Sequence, residues 1–270
     1  MFLAVNVFAI GIGPFVAGII AQWSSWRYVY MVMAVWGTGT FILHLIVVPE
    51  TLNKAEGRNS ALAALAALED RGELISVTLL LSIASGFLFL VYLMIGTLFP
   101  FNYKLQPIAI GCIYTLTGIA VGLGAAIGTV ISWLLRKKFD FGGSLILPII
   151  VSLLLAFGSV VLGWSLAGSS IYLPLSVVLL SACVRGSVIP GLLRYCVEMH
   201  PSSAESIIEF MALSQLLCSA IFQMAGTILG TSFNYPLAFV AISFLMVFCC
   251  LPVVLFLLRR LLRHRKASHL

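Results

Sequence analysis

The 270 residues are 61% hydrophobic and 9% charged, with a mean hydropathy of +1.14, against the roughly 45–50% apolar and 25% charged residues of a soluble domain. That composition excludes a water-soluble globule. The net charge of +6 does not point to nucleic acid, because the Lys and Arg lie in gaps between apolar runs and in the terminal cluster Arg259, Arg260, Arg263, Arg265 and Lys266, a solvated tail that anionic lipid headgroups would attract.

In chain order, apolar stretches cover 2–21, 28–48, 75–98, 107–135, 144–164, 172–192, 206–230 and 236–258, each near the roughly 20 residues that cross a bilayer as a helix. Transmembrane β-strands alternate apolar and polar residues, whereas Leu145–Leu155 is apolar on all sides. The expected fold is therefore an all-α polytopic membrane bundle of about eight spanning helices. The first run opens at Phe2 with no basic flank. It is longer than the apolar core of a signal peptide and is broken by Gly11, Gly13 and Pro14, so it reads as a spanning helix. Pro14 removes a backbone hydrogen bond, and Gly11, Ala17 and Gly18 allow close approach of a neighbouring helix. In the second run His44 is a lone polar group near a helix end.

One long connection, Glu50 to Leu74, divides the chain into two helices and six. Asn59 or Ser60 can cap a short helix over Ala61–Asp70, with Leu62, Leu65 and Leu68 on a stripe suited to the membrane surface. The charges around it, Glu50, Lys54, Glu56, Arg58, Glu69, Asp70, Arg71 and Glu73, read as a solvated linker. The division is then 1–49, a 50–74 linker, a six-helix unit over 75–258 and a basic tail over 259–270. Twelve Lys and Arg fall on one side of the membrane, Arg27 and Lys104 on the other, and Arg185 inside a span. The basic side is expected to be cytoplasmic, with both termini there. No sorting signal is visible; the plasma membrane is the expected location.

Charges within spans are expensive and so become functional candidates. Arg185 lies seven residues from the end of its apolar run, about 10 Å deep at 1.5 Å per residue. Gating or structural pairing, contact with a substrate anion, and snorkelling to the interface are its three readings. Glu205 and Glu209 in the first turn of the seventh helix suit the positive end of its dipole, and pairing of Arg185 with Glu209 is the sharper alternative. Beyond them Ala212, Gln215, Ser219, Gln223 and Gly226 share one small, polar face, which lines either water or another helix. The stripe Gly111, Thr115, Gly118, Gly122 and Thr129 on the fourth helix suits close helix packing. Tyr92 and Tyr114 are candidates for stacking on an aromatic or cationic molecule, with Trp164 an interfacial anchor. The six cysteines sit in apolar runs, and no metal or cofactor motif appears.

The run Gly13-Pro14-Phe15-Val16-Ala17-Gly18 resembles the antiporter motif on the fifth helix of the major facilitator superfamily, with Ala17 where that motif has Gly. Trp26-Arg27, Pro49-Glu50-Thr51-Leu52, Leu98-Phe99-Pro100 and Gly118-Ile119-Ala120-Val121-Gly122 follow in the order seen in its fungal drug:proton antiporter branch. Tyr195-Cys196-Val197-Glu198 resembles a Tyr-Leu-Val-Asp signature at the end of the tenth helix, with Glu for Asp. The resemblance implies a partial major facilitator fold, equivalent to helices five to twelve of twelve. It implies a secondary transporter of small organic molecules, of multidrug or polyamine efflux type, with proton coupling as an open feature. Gln215 and Gln223 would border its central cavity, and Glu198 would join Arg185 and Glu209 in gating or ion pairing. The expected partners are a small-molecule substrate and the lipid bilayer. A truncated, non-transporting membrane fragment or packing subunit is the alternative. A membrane enzyme has no motif to support it.

Overall fold

The computed structural model describes residues 2–47, 71–139, 143–168, 170–199, 204–232 and 235–267. Among these residues are eight α-helices and no strand: α1 (Phe2–Trp23), α2 (Trp26–Val47), α3 (Arg71–Tyr103), α4 (Pro107–Phe139), α5 (Gly143–Ser165), α6 (Tyr172–Met199), α7 (Ala204–Ser232) and α8 (Tyr235–Ala267). A helix satisfies its own backbone, as lipid requires. Seven are long and apolar enough to span a bilayer, and α1 adds the shorter apolar stretch Ile12–Trp23. The protein is an integral membrane helix bundle. Pro14, Pro100, Pro148, Pro190 and Pro252 all lie inside helices, which membrane helices tolerate because neighbours re-satisfy the freed carbonyls.

Several helices outrun the apolar stretches that announced them. The third begins at Arg71, inside the expected linker; α6 runs seven residues past Leu192 to Met199; and α8 continues through the expected tail to Ala267. The continuation of α6 keeps its charges paired one turn apart, Arg194 Nε donating to Glu198 Oε1 at 2.8 Å. The expected linker helix over Ala61–Asp70 and the Pro49–Leu52 motif lie outside the described residues.

Helices α3 to α8 share one core in which Phe87, Phe99, Leu155, Leu192, Ile207 and Met246 are sealed. With lipid as apolar as the side chains, close packing and hydrogen bonds hold such a bundle together more than the hydrophobic effect does. The most extensive contact joins α4 and α6. There a Cβ on Gly124 or Gly128 of α4 would strike the backbone of Cys183 or Ser187, and one on Gly186 of α6 would strike Val121. Small residues thus let two backbones touch. The chain reverses between α3 and α4 in three residues, Lys104 taking a left-handed φ of 51°.

The leading pair behaves differently. α1 packs along α4, whereas α2 buries no residue and has α1 as its main neighbour. At the α1–α4 seam a Cβ on Gly18 would lie 2.7 Å from the Pro107 carbonyl oxygen, and one on Gly111 would lie 2.8 Å from that of Pro14. Gln22 closes the seam, donating to Gln106 Oε1 at 2.9 Å and accepting from the Ile108 backbone N–H at 3.2 Å.

Candidate functional site

Three helices bring polar groups together at one depth. Arg185 lies fourteen residues from the end of α6 at Met199, Ser85 fourteen from the start of α3 at Arg71, and Gln215 eleven from the start of α7 at Ala204. At 1.5 Å per residue these are depths of about 21, 21 and 17 Å from the same end of the bundle. The groups meet: Arg185 Nη2 donates to Ser85 Oγ at 3.0 Å, and the Ser85 hydroxyl has Gln215 Oε1 and the Leu81 carbonyl as acceptors, each at 2.9 Å. Arg185 Nε is buried with no hydrogen-bond partner. As whole residues Arg185 and Gln215 are half-buried.

Next to it stands an aromatic pair. Tyr114 of α4 donates its hydroxyl to the Tyr92 carbonyl of α3 at 2.6 Å, and the two rings meet edge to face with centroids 5.6 Å apart. Gly96 leaves space for that hydroxyl: a Cβ there would lie 2.8 Å from it. Tyr92 is close enough to Arg185 to feel its charge. α3, α6 and α7 therefore join a hydroxyl, an amide and a guanidinium, and two turns further along α3 the tyrosine pair joins α3 to α4.

The structure rearranges the sequence-derived candidates. Arg185 and Gln215 meet through Ser85, while Tyr92 and Tyr114 pair with each other two turns further along α3. Gln223 lies two turns further along α7 and is half-buried, outside these contacts. Arg185 does not pair with Glu209: the Glu209 side chain is exposed, only five residues into α7, about 13 Å shallower than Arg185. In place of snorkelling, the Arg185 guanidinium is turned into the bundle, with Nη2 on Ser85 and Nε buried.

Glu198 belongs to another assembly. Its two carboxylate oxygens each lie 2.6 Å from Arg136 Nη1, and Arg194 adds a second cation. This clamp ties the ends of α4 and α6. Beside it Glu73, read from sequence as a linker charge, is 3% exposed and accepts the hydroxyl of Tyr195. Of the antiporter-like motif, Gly13 has no neighbour within 4 Å, while Pro14 and Gly18 form the α1–α4 seam. Tyr195 of the signature thus serves a buried acid and Glu198 an ion pair.

Ser85, Glu73, Arg136 and the Gly124, Gly128 and Gly186 seam were not singled out by sequence. A small-residue stripe was read on this helix, but of its members Gly111 faces α1, while the contact with α6 uses Gly124 and Gly128, which lie off that stripe. Among the described residues no cluster of His, Cys, Asp and Glu suits a metal ion. Compared with known proteins, residues 1–223 match the family model of the Major Facilitator Superfamily. No curated protein matches the chain.

Proposed function

Since the chain belongs to the Major Facilitator Superfamily, a family of membrane transporters, we propose that it moves small amphipathic organic molecules, binding them at the Tyr92, Tyr114, Arg185 and Gln215 cluster. The observation that carries this reading is the junction of Arg185, Ser85 and Gln215 from three helices, with the Tyr92 and Tyr114 pair two turns further along α3. Membrane transporters bind cargo near the midplane, where irregular or polar groups are tolerated only if they line a cavity. Of the two cargo types implied by the motif resemblance, a multidrug-type cargo fits the aromatic pair. A polyamine does not, because a guanidinium repels it.

The basic end, with Arg136, Lys137 and Lys138 in the last turn of α4, faces the cytoplasm on this reading. Exchange against protons, as in the antiporter branch, would run through Glu73, the buried acid nearest that end, by way of its Tyr195 contact. Intramembrane acids are the usual proton carriers. The test is reconstitution of the purified chain in liposomes, with flux of small aromatic compounds measured with and without a pH gradient. Saturable flux that Tyr92→Leu and Gln215→Leu weaken supports the proposal. Flux no faster than in protein-free liposomes overturns it, and flux indifferent to the pH gradient and to Glu73→Gln removes the proton step alone.

A further inference from the structure

The Arg185 cluster is electrostatically incomplete. Four of the nine Asp and Glu lie in described helices, namely Glu73, Glu198, Glu205 and Glu209. All four sit toward one end. Along their own helices Glu73 lies twelve residues from Ser85, Glu198 thirteen from Arg185, and Glu209 six from Gln215, or about 18, 20 and 9 Å. Glu198 is already held by Arg136 and Arg194. Among the described residues no carboxylate pairs with Arg185, whose contacts are a neutral hydroxyl at Nη2 and none at Nε.

A cation taken out of water and left without a counter-charge is among the least favourable arrangements in a membrane protein. Among the described residues nothing supplies the counter-charge, and a bound ligand can. A guanidinium suits a carboxylate in particular, since its planar fork matches two oxygens. The Tyr92 and Tyr114 ring edges beside it suit an aromatic body.

We infer that the cargo is a small organic anion, an aromatic carboxylate whose charge seats on Arg185 and whose ring meets Tyr92 and Tyr114. This rests on the reading of the cluster as the carrier's binding site, and it narrows the amphipathic cargo to an anionic one. Ser85 and Gln215 act as positioning residues: the hydroxyl holds one guanidinium nitrogen and the amide holds the hydroxyl.

The test uses the full chain in detergent with four probes: naphthalene-2-carboxylate, its neutral carboxamide, 2-naphthylmethylammonium and chloride alone. Equilibrium dialysis and thermal unfolding report binding. The carboxylate is expected to bind at least about ten-fold more tightly than the amide, equivalent to about 1.4 kcal/mol. The ammonium should bind no better than the amide, and chloride should not reproduce the thermal protection. Arg185→Gln should bring the carboxylate down to the level of the amide while leaving the amide unchanged, and Arg185→Lys should keep part of the preference. If Arg185→Gln fails to fold, Ser85→Ala keeps the charge and should retain a carboxylate preference, while Tyr92→Leu should weaken carboxylate and amide alike. Equal binding of carboxylate and amide, preference for the ammonium, protection by chloride alone, or no binding of any probe overturns the inference. Carboxylate-selective binding without vesicle flux overturns the transport reading and leaves the anion site standing; flux that ignores charge does the reverse.

Discussion

Tyr195 and Glu73 meet across 122 positions of sequence, and that separation is why neither was legible as a functional group beforehand. An acid in the first turn of a helix is ordinarily a solvated complement to the helix dipole. Only the arrival of α6 turns Glu73 into a buried carboxylate. Removing the hydroxyl takes a hydrogen bond from a buried acid, so Tyr195→Phe should lower stability by about 1–3 kcal/mol, read as a shift in the midpoint of SDS unfolding; an unmoved midpoint would mean that other contacts of Glu73 suffice. The clamp on Glu198 is different, being half-exposed. A double-mutant cycle with Arg136→Gln and Glu198→Gln should give a coupling of roughly 0.5–1 kcal/mol that shrinks in high salt. Coupling near zero would reduce the clamp to two independent surface charges. Arg185 shows the complementary failure of sequence reading. Its type was visible at once, but its partner was not, because Ser85 lies 100 positions away in sequence.

The glycines separate by element in a way that composition alone does not reveal. Gly13 and Gly18 belong to one motif, yet a Cβ meets nothing within 4 Å at the first and a backbone oxygen at the second. Gly13→Ala should therefore shift stability by no more than about 0.5 kcal/mol, as surface changes do. Gly18→Ala should lower it by about 1–3 kcal/mol through overpacking. Thermal unfolding in detergent compares the two, and equal effects would show that the motif acts through α1's own backbone and not through its seam with α4. Gly124→Ala, which sets side chain against backbone at the α4–α6 contact, should be at least as damaging as Gly18→Ala. The number and type of helices were legible, because runs of about 20 apolar residues have few other fates. Their partners were not. Which side of α4 meets α1 and which meets α6 depends on where each glycine falls around the helix, and small residues occur on several sides.

For the whole molecule, the core of α3 to α8 contains, among the residues whose burial is described, none from α1 or α2. A chain of residues 71–267 should therefore fold without the leading pair and unfold cooperatively in detergent, giving a single monodisperse peak in size-exclusion chromatography. Aggregation of that piece would show that the α1 seam is needed to keep α4 in place. The binding cluster also lies wholly on α3, α4, α6 and α7, so its carboxylate preference should survive in the shorter chain even where flux does not. One more consequence follows from the position of Arg185 near the middle of the 28-residue α6. A fixed cation halfway across a bilayer sits halfway down its electric field, and carrying one elementary charge through 100 mV corresponds to about 2.3 kcal/mol. With a monovalent anion seated on it the site is neutral, and its swing from one face to the other is blind to voltage. Empty, the same swing drags a positive charge through part of the field. The unloaded return, and not the loaded stroke, is then the step that the membrane potential speeds or slows.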